Sequence, residues 1–338
     1  MSYSNLDRHQ FIKLNAAALT GSVLLPAFLK EQNSNRKNQE KDLHKLPGYY
    51  RFTLGEMEIT ILNDGHFYLS EITPPDMHQV DGLAFNVPDE LRQEYFKSRI
   101  LTSNAPRLAV SPVLVETGQE RILIDSGWSI PGSSETAGQL GSMLELVDID
   151  PNSIDKVLLT HAHPDHLGGL VDDSIENINF PNAEVILTEK EFEFWTGDEV
   201  LTLLENPGLS PIPDVLKKLE SQLRLIQSGD TVADNIQSIP TPGHTPGHTS
   251  FALDTGNGEI LFTGDALVNI HVCFEKPDWH NFWDLDREEA AHSRHQILKR
   301  VAADNMLMIG FHFPFPGIGY ALKDGDAYRW YPAGTTML

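Results

Sequence analysis

The stretch THAHPDHLGG, residues 160–169, sets three histidines and an aspartate within six positions, at His161, His163, Asp165 and His166. A single histidine on an apolar face is ordinarily a core residue with a satisfied hydrogen bond. Three of them, at i, i+2 and i+5 around an acid, fit the ligation of a divalent metal ion better. The chain has only 14 histidines in 338 residues, so this cluster uses a fifth or so of its imidazoles in one turn. A hydrolytic metal site needs three or more protein donors and an open position, so ligands from elsewhere in the chain are required. TPGHTPGHT supplies His244, TGDAL supplies Asp265 and IGFHFPFPG supplies His312.

Each of these residues stands where a strand is predicted to end. DKVLLT (155–160) is a short, nearly continuous apolar run, as expected for a strand covered on both faces, and it runs directly into His161. His244 follows IQSIP, Asp265 follows EILF and His312 follows MLMIG. Further short β-rich runs, YYRFTLG, MEITILND, SPVLVETG and RILIDSG, come earlier and are separated by Gly or Asp turn signals. AEVILTEKEFEFW reads as strand then helix. Helices are also expected from Pro88 through Lys97, over Ser134–Val147 with Leu140, Met143, Leu144 and Val147 on one face, and over DREEAAHSRHQILKRVAAD. In the last of these, acids open the first turn and Lys299 and Arg300 close it, which suits the helix dipole. Strands, then mixed strands and helices, then strands again predict an α/β fold of two sheets, each covered outside by helices.

Composition narrows the partners. Asp and Glu outnumber Lys and Arg by 48 to 25, for a net charge of −23, which repels phosphate backbones and excludes nucleic acid as a partner. Cys273 is the sole cysteine, so neither an intrachain disulfide nor a cysteine-rich zinc site is available; within NIHVCF it reads as a small buried hydrophobe. Residues 1–30 carry a basic start (Arg8, Lys13) and an apolar stretch from Leu14 to Phe28, too short to span a membrane and suited to an export signal. The run Arg8-His9-Gln10-Phe11-Ile12-Lys13 resembles a degenerate twin-arginine signal. A periplasmic or exported protein, with no stable membrane insertion after processing, is expected on that reading; a cytoplasmic one with an uncleaved N-terminus is the alternative. Residues 31–46 read as a polar linker, and 47–338 as one hydrolase domain.

The HxHxDH pattern at 161–166, followed in order by His244, Asp265 and His312, resembles the metallo-β-lactamase superfamily. PGYYRFTLGEMEITILNDG, FPNAEVILTEKEFEFW, GHTPGHT and FPFPGIGYALKDGDAYRWYP resemble, more narrowly, the branch holding methyl parathion hydrolase and N-acyl-homoserine lactonases. The resemblance implies a four-layer αββα sandwich with a two-metal site. It implies that His161, His163 and His244 hold one metal, that Asp165, His166 and His312 hold the other, and that Asp265 bridges them. Two divalent ions, zinc first among them, would share the water that acts as nucleophile, with Asp165 delivering a proton to the leaving group. It further implies a homodimer.

The bridging aspartate argues against β-lactam hydrolysis, and the acidic chain against anionic thioesters, which leaves a small neutral ester or lactone. Lactone opening of N-acyl-homoserine lactones is the expected reaction, with phosphotriester hydrolysis as one alternative and a non-catalytic, metal-stabilised binding protein as another. Trp128, Phe192, Trp195, Trp279, Phe282 and Phe313 are expected to wall the pocket, with Trp283 and Phe315 as further candidates. His248 is expected to support a ligand loop rather than bind metal, and His271, His280, His292 and His295 match no motif. Asp64 and Asp125, each ending a strand, read equally as turn formers or as partners that orient a ligand histidine.

Overall fold

A computed structural model of the chain describes residues 48–73, 77, 79–99, 101, 107–128 and 136–333; the expected export signal at 1–30 and linker at 31–46 lie outside them. Two seven-stranded sheets form the body. The first runs in the order β1 (Tyr49–Leu54), β2 (Met57–Leu62), β5 (Val113–Glu116), β6 (Arg121–Ile124), β7 (Lys156–Leu158), β8 (Glu184–Thr188) and β9 (Leu223–Ile226). The second runs β10 (Thr231–Ala233), β11 (Ile236–Pro240), β12 (Thr249–Asp254), β13 (Glu259–Phe262), β14 (Leu307–Ile309), β15 (Ile318–Asp324) and β16 (Ala327–Pro332). A small ribbon of β3 (Gly65–Tyr68) and β4 (Arg107–Val110) stands apart from both.

Strand alternation builds the layers. Ile59, Ile61, Val113, Val115, Ile122, Ile124, Leu158 and Ile186 of the first sheet meet Phe251, Leu253, Ile260, Phe262, Leu307, Ile309 and Ile318 of the second in one buried core. Their sequence neighbours Leu114, Leu123, Val157, Val185 and Leu187, and on the second sheet Ala252, Leu261, Met308 and Ala321, join the other core. There the helices deliver Leu140 and Leu144, Val215 and Leu216, and Ile297, Leu298 and Val301. Because the central strands of both sheets are apolar on both faces, sandwiching them between helices buries both, and a one-residue slip of such a strand would exchange its two cores. The result is the αββα sandwich. The β1–β2 hairpin closes through Gly55, whose φ of 63° at the first turn position suits the twist of the strands.

The pairing also sets the direction of the strand ends. β2, β6, β7 and β8 all point the same way in the first sheet, and β11, β13 and β14 do so in the second, since two antiparallel steps or one parallel step separate each from the next. Every candidate ligand therefore emerges at the C-terminal rim of its sheet.

One helix departs from expectation. Among the described residues of the segment predicted as helical over 134–147, the helix spans Leu140–Leu146. Gly138 takes a φ of 86°, and the buried Asp64 carboxylate accepts the Trp128, Gly138 and Leu140 backbone N–H groups at 3.0, 3.1 and 2.6 Å, so residues 136–139 wrap an acid instead of continuing a helix. Of its two expected roles, Asp64 is a turn former. Removing a buried acceptor strands the donors that faced it, which costs more than the bonds themselves. Asp64→Ala is expected to lower unfolding free energy by about 2–4 kcal/mol in urea, against a change within about 0.5 kcal/mol for the exposed Leu91→Ala.

Candidate metal centre

Seven side chains converge between the two rims. His161, His163, Asp165 and His166 follow β7, the last two on a single helical turn, Pro164–Leu167. His244 sits in the loop after β11, Asp265 in the turn Gly264–Ala266 after β13, and His312 after β14. His161 Nε2 and His244 Nε2 lie 2.9 and 3.0 Å from His163 Nδ1, and His244 Nε2 lies 3.2 Å from Asp265 Oδ2. The other oxygen, Asp265 Oδ1, lies 3.2 Å from both His166 Nε2 and His312 Nε2, which are 3.5 and 3.3 Å from Asp165 Oδ2. The two oxygens of Asp265 thus face different trios. Donors bound to a tetrahedral zinc at about 2.0–2.1 Å stand roughly 3.3 Å apart, so the spacing suits a cation in each trio.

Outer partners fix the rings. His166 Nδ1–H donates to Asp125 Oδ2 at 2.8 Å, His244 Nδ1–H to Asp284 Oδ1 at 3.1 Å and His312 Nδ1–H to the Ala109 carbonyl at 2.7 Å. The Thr160 hydroxyl donates to Asp125 Oδ2 at 2.9 Å and accepts from His161 Nδ1–H at 3.1 Å. With Nδ1 committed as a donor, each of these rings turns its Nε2 into the centre. His248 is not a ligand: its Nδ1–H donates to the Thr241 carbonyl at 3.1 Å and its Nε2 accepts the Asp265 backbone N–H at 2.9 Å, anchoring that aspartate. Of its two expected roles, Asp125 is the partner that orients a histidine, the candidate ligand His166, and its φ of 55° is one that aspartate tolerates.

Burial opposes charge throughout the cluster. At His163 and His248 it prevails, helped by the neighbouring imidazoles, and pushes both pKa values down to about 3. At His312 burial is outweighed by the Asp265 and Asp165 carboxylates, which raise it to about 10. Asp265 is held well below the usual carboxylate range, its burial outweighed by His312, His166 and His244.

A cavity of about 160 Å³ opens onto the centre. Trp128 and Trp195 line it, as does Trp283, together with Phe67, Leu108, Val268 and Leu209. Four expected wall residues are elsewhere. Phe282 packs in a separate buried cluster with Phe85 and Met77, and Phe313 is buried against Phe274 and Trp330. Trp279 stacks edge-on to Tyr95, and Phe192 packs against the outer core. In each case the ring has a partner in the body of the protein, which proximity in sequence to the motifs does not reveal. His271, His280, His292 and His295 pair with Glu275, Glu288, Gln296 and Asp278, outside the centre. Cys273 is buried, and burial pushes its thiol up. Among the described residues no helix is long and apolar enough to cross a membrane. Asp284 and Glu191 are both buried but stand in no motif; Asp284, between Trp283 and Leu285, shows an acid in an apolar run, whereas Glu191, between Lys190 and Phe192 with Glu189 and Glu193 beside them, carries no such mark.

The family model of the metallo-beta-lactamase superfamily matches residues 105–312. An uncharacterized protein of Bacillus subtilis, YobT, is 35% identical over 163 residues, 47% of this chain and 62% of that protein, so the chain spans less than two thirds of it. An N-acyl homoserine lactonase from Bacillus sp is 24% identical over 215 residues, 60% of this chain and 76% of the lactonase. The solved structure of AidC, a dizinc quorum-quenching lactonase with a product bound, is similar at 25% identity and a TM-score of 0.76, covering 85% of this chain and 98% of AidC.

Since Asp125 and Asp284 orient His166 and His244, Asp125→Asn and Asp284→Asn are each expected to weaken zinc binding by about 10–100-fold, as measured by competition with a chromogenic chelator.

Proposed function

This chain belongs to the metallo-β-lactamase superfamily, and from that premise we propose that it is a metal-dependent hydrolase that opens the lactone ring of N-acyl-homoserine lactones. The observation that carries the reading is the division of the Asp265 carboxylate, one oxygen to each trio of donors. Its donor set fits two divalent cations. His166 Nε2 and Asp265 Oδ1 are buried without a hydrogen-bond partner, and imidazole with carboxylate is a donor set that zinc accepts. On this reading His161, His163 and His244 hold one ion, Asp165, His166 and His312 hold the other, and Asp265 spans both. Bound there, two zinc ions supply an acidified water near neutral pH and a Lewis acid for the ester carbonyl.

The chain's own groups do the rest. Asp165 lines the cavity, where it can accept the proton that the attacking water gives up and return it to the alkoxide leaving the ring. A lactone depends on that proton, because an alkoxide is a poor leaving group. Phe67, Leu108, Trp128 and Trp283 form an apolar wall that excludes water and suits an uncharged acyl tail, while Glu71 beside them disfavours an anionic one. The likenesses to AidC and to a Bacillus lactonase support the same substrate class. The homodimer implied by the branch belongs to this reading as well.

Proton release from N-hexanoyl-homoserine lactone tests it. Zinc-loaded protein is expected to turn over, chelated protein to stop, and Asp265→Asn to lose at least about 100-fold in kcat/KM, more than the outer-partner variants lose in affinity. Faster turnover of a phosphotriester than of any lactone would overturn the substrate assignment. Val268 reaches the cavity wall, so Val268→Phe is expected to shorten the acyl chain accepted, shifting the ratio of kcat/KM for butanoyl over decanoyl substrates about tenfold.

A further inference from the structure

Glu191 lies on the helix Glu189–Thr196 and is fully buried, yet no lysine or arginine pairs with it among the described residues. Its carboxylate instead accepts four hydrogen bonds: Ala162 N–H at 3.0 Å and Trp195 Nε1–H at 2.7 Å on Oε1, and Thr245 Oγ1–H at 2.7 Å and Gly247 N–H at 3.0 Å on Oε2. Those donors belong to three functional pieces. Ala162 lies between His161 and His163, Thr245 and Gly247 belong to the loop that carries His244, and Trp195 is a cavity wall whose ring sits edge-on 5.6 Å from His163. The two loops come from different sheets.

The approach is close enough to exclude a side chain. A Cβ on Gly247 would meet the Glu191 backbone nitrogen at 2.2 Å, so the glycine in PGHT lets the second sheet's loop rest against the helix. Thr188 reinforces the contact, capping the helix at Glu191 N–H and donating its hydroxyl to the Gly247 carbonyl at 2.7 Å.

We infer that Glu191 is a positioning residue which sets the spacing of His161, His163 and His244 across the gap between the sheets and ties that spacing to Trp195. The inference rests on the metal-binding reading of this trio. All four partners are donors, so the site calls for an acceptor at both oxygens. Glu191→Gln keeps shape and volume but turns an NH2 toward donors at one end. That change should spread or rotate the trio without removing any ligand.

Cobalt-loaded protein reports the geometry through its visible d–d absorption, independently of turnover. Glu191→Gln is expected to shift that spectrum and to weaken cobalt binding about 10–100-fold, the range for partners that orient ligands. Thr245→Val, which removes one donor and leaves the carboxylate, should shift it in the same direction by less, and Thr245→Ser should restore it. Leu253→Ala, in the core between the sheets at the far end of β12, serves as a control that lowers thermal stability and leaves the spectrum unchanged. Wild-type protein that takes up no cobalt defeats the metal-binding reading itself. A wild type with a cobalt spectrum, matched in position and affinity by Glu191→Gln, overturns the role of Glu191 while leaving that reading intact.

Discussion

The centre depends on one electrostatic arrangement: a carboxylate, Asp265, buried among imidazoles with each oxygen turned to a different group of them. Burying an anion is expensive unless opposite charge or donors surround it. Here the backbone N–H of Asp265 donates to His248 Nε2 at 2.9 Å, which anchors the residue that carries those oxygens. The surrounding rings are held from behind by Asp125, Asp284, Thr160 and the Ala109 carbonyl, so that their inner nitrogens face the centre. These outer hydrogen bonds place the rings before any ligand arrives, with the fold rather than the ligand bringing the groups together.

The fold does so through topology. Parallel steps between β6, β7 and β8, and between β13 and β14, bring loops to the same rim that antiparallel hairpins would have sent to opposite ends. The two apolar cores keep the rims aligned, since the inner one locks sheet to sheet and the outer one locks helices onto both. The ligand loops can then be short and irregular, with packing rather than local structure holding them.

Much of this was legible in the residues. HxHxDH after the apolar strand β7, and a histidine or aspartate after β11, β13 and β14, mark in the sequence the side chains that the fold gathers at one rim. The nearly continuous apolar run DKVLLT likewise reports a strand buried on both faces. The less visible part depends on contacts between distant segments. Glu191 and Asp284 are single acids in unremarkable surroundings, and their work is defined by Gly247, Thr245, His244 and Arg294 across the fold. The aromatic walls divide the same way. Trp128 and Trp195 face the cavity while Phe282 and Phe313 face core, a difference set by which side of each loop or helix meets the body. Among the described residues, the helix expected over 134–147 begins at Leu140 because Asp64 draws the preceding turn around itself.

The buried Arg294 makes the two halves of the centre unequal. Its guanidinium reaches Asp284 at 2.9 Å and the Pro277 and Trp279 carbonyls at 3.0 Å, so the acid behind His244 is charge-compensated. Asp125, behind His166, meets Thr160 and His166 and no guanidinium or ammonium group among the described residues. The half containing Asp165 therefore presents the greater negative field, and the three-histidine half a nearly neutral one. If each half holds a dication, as proposed, the former favours harder, more strongly hydrated ions and the latter softer ones, so a mixed pair of metals would sort itself between the halves.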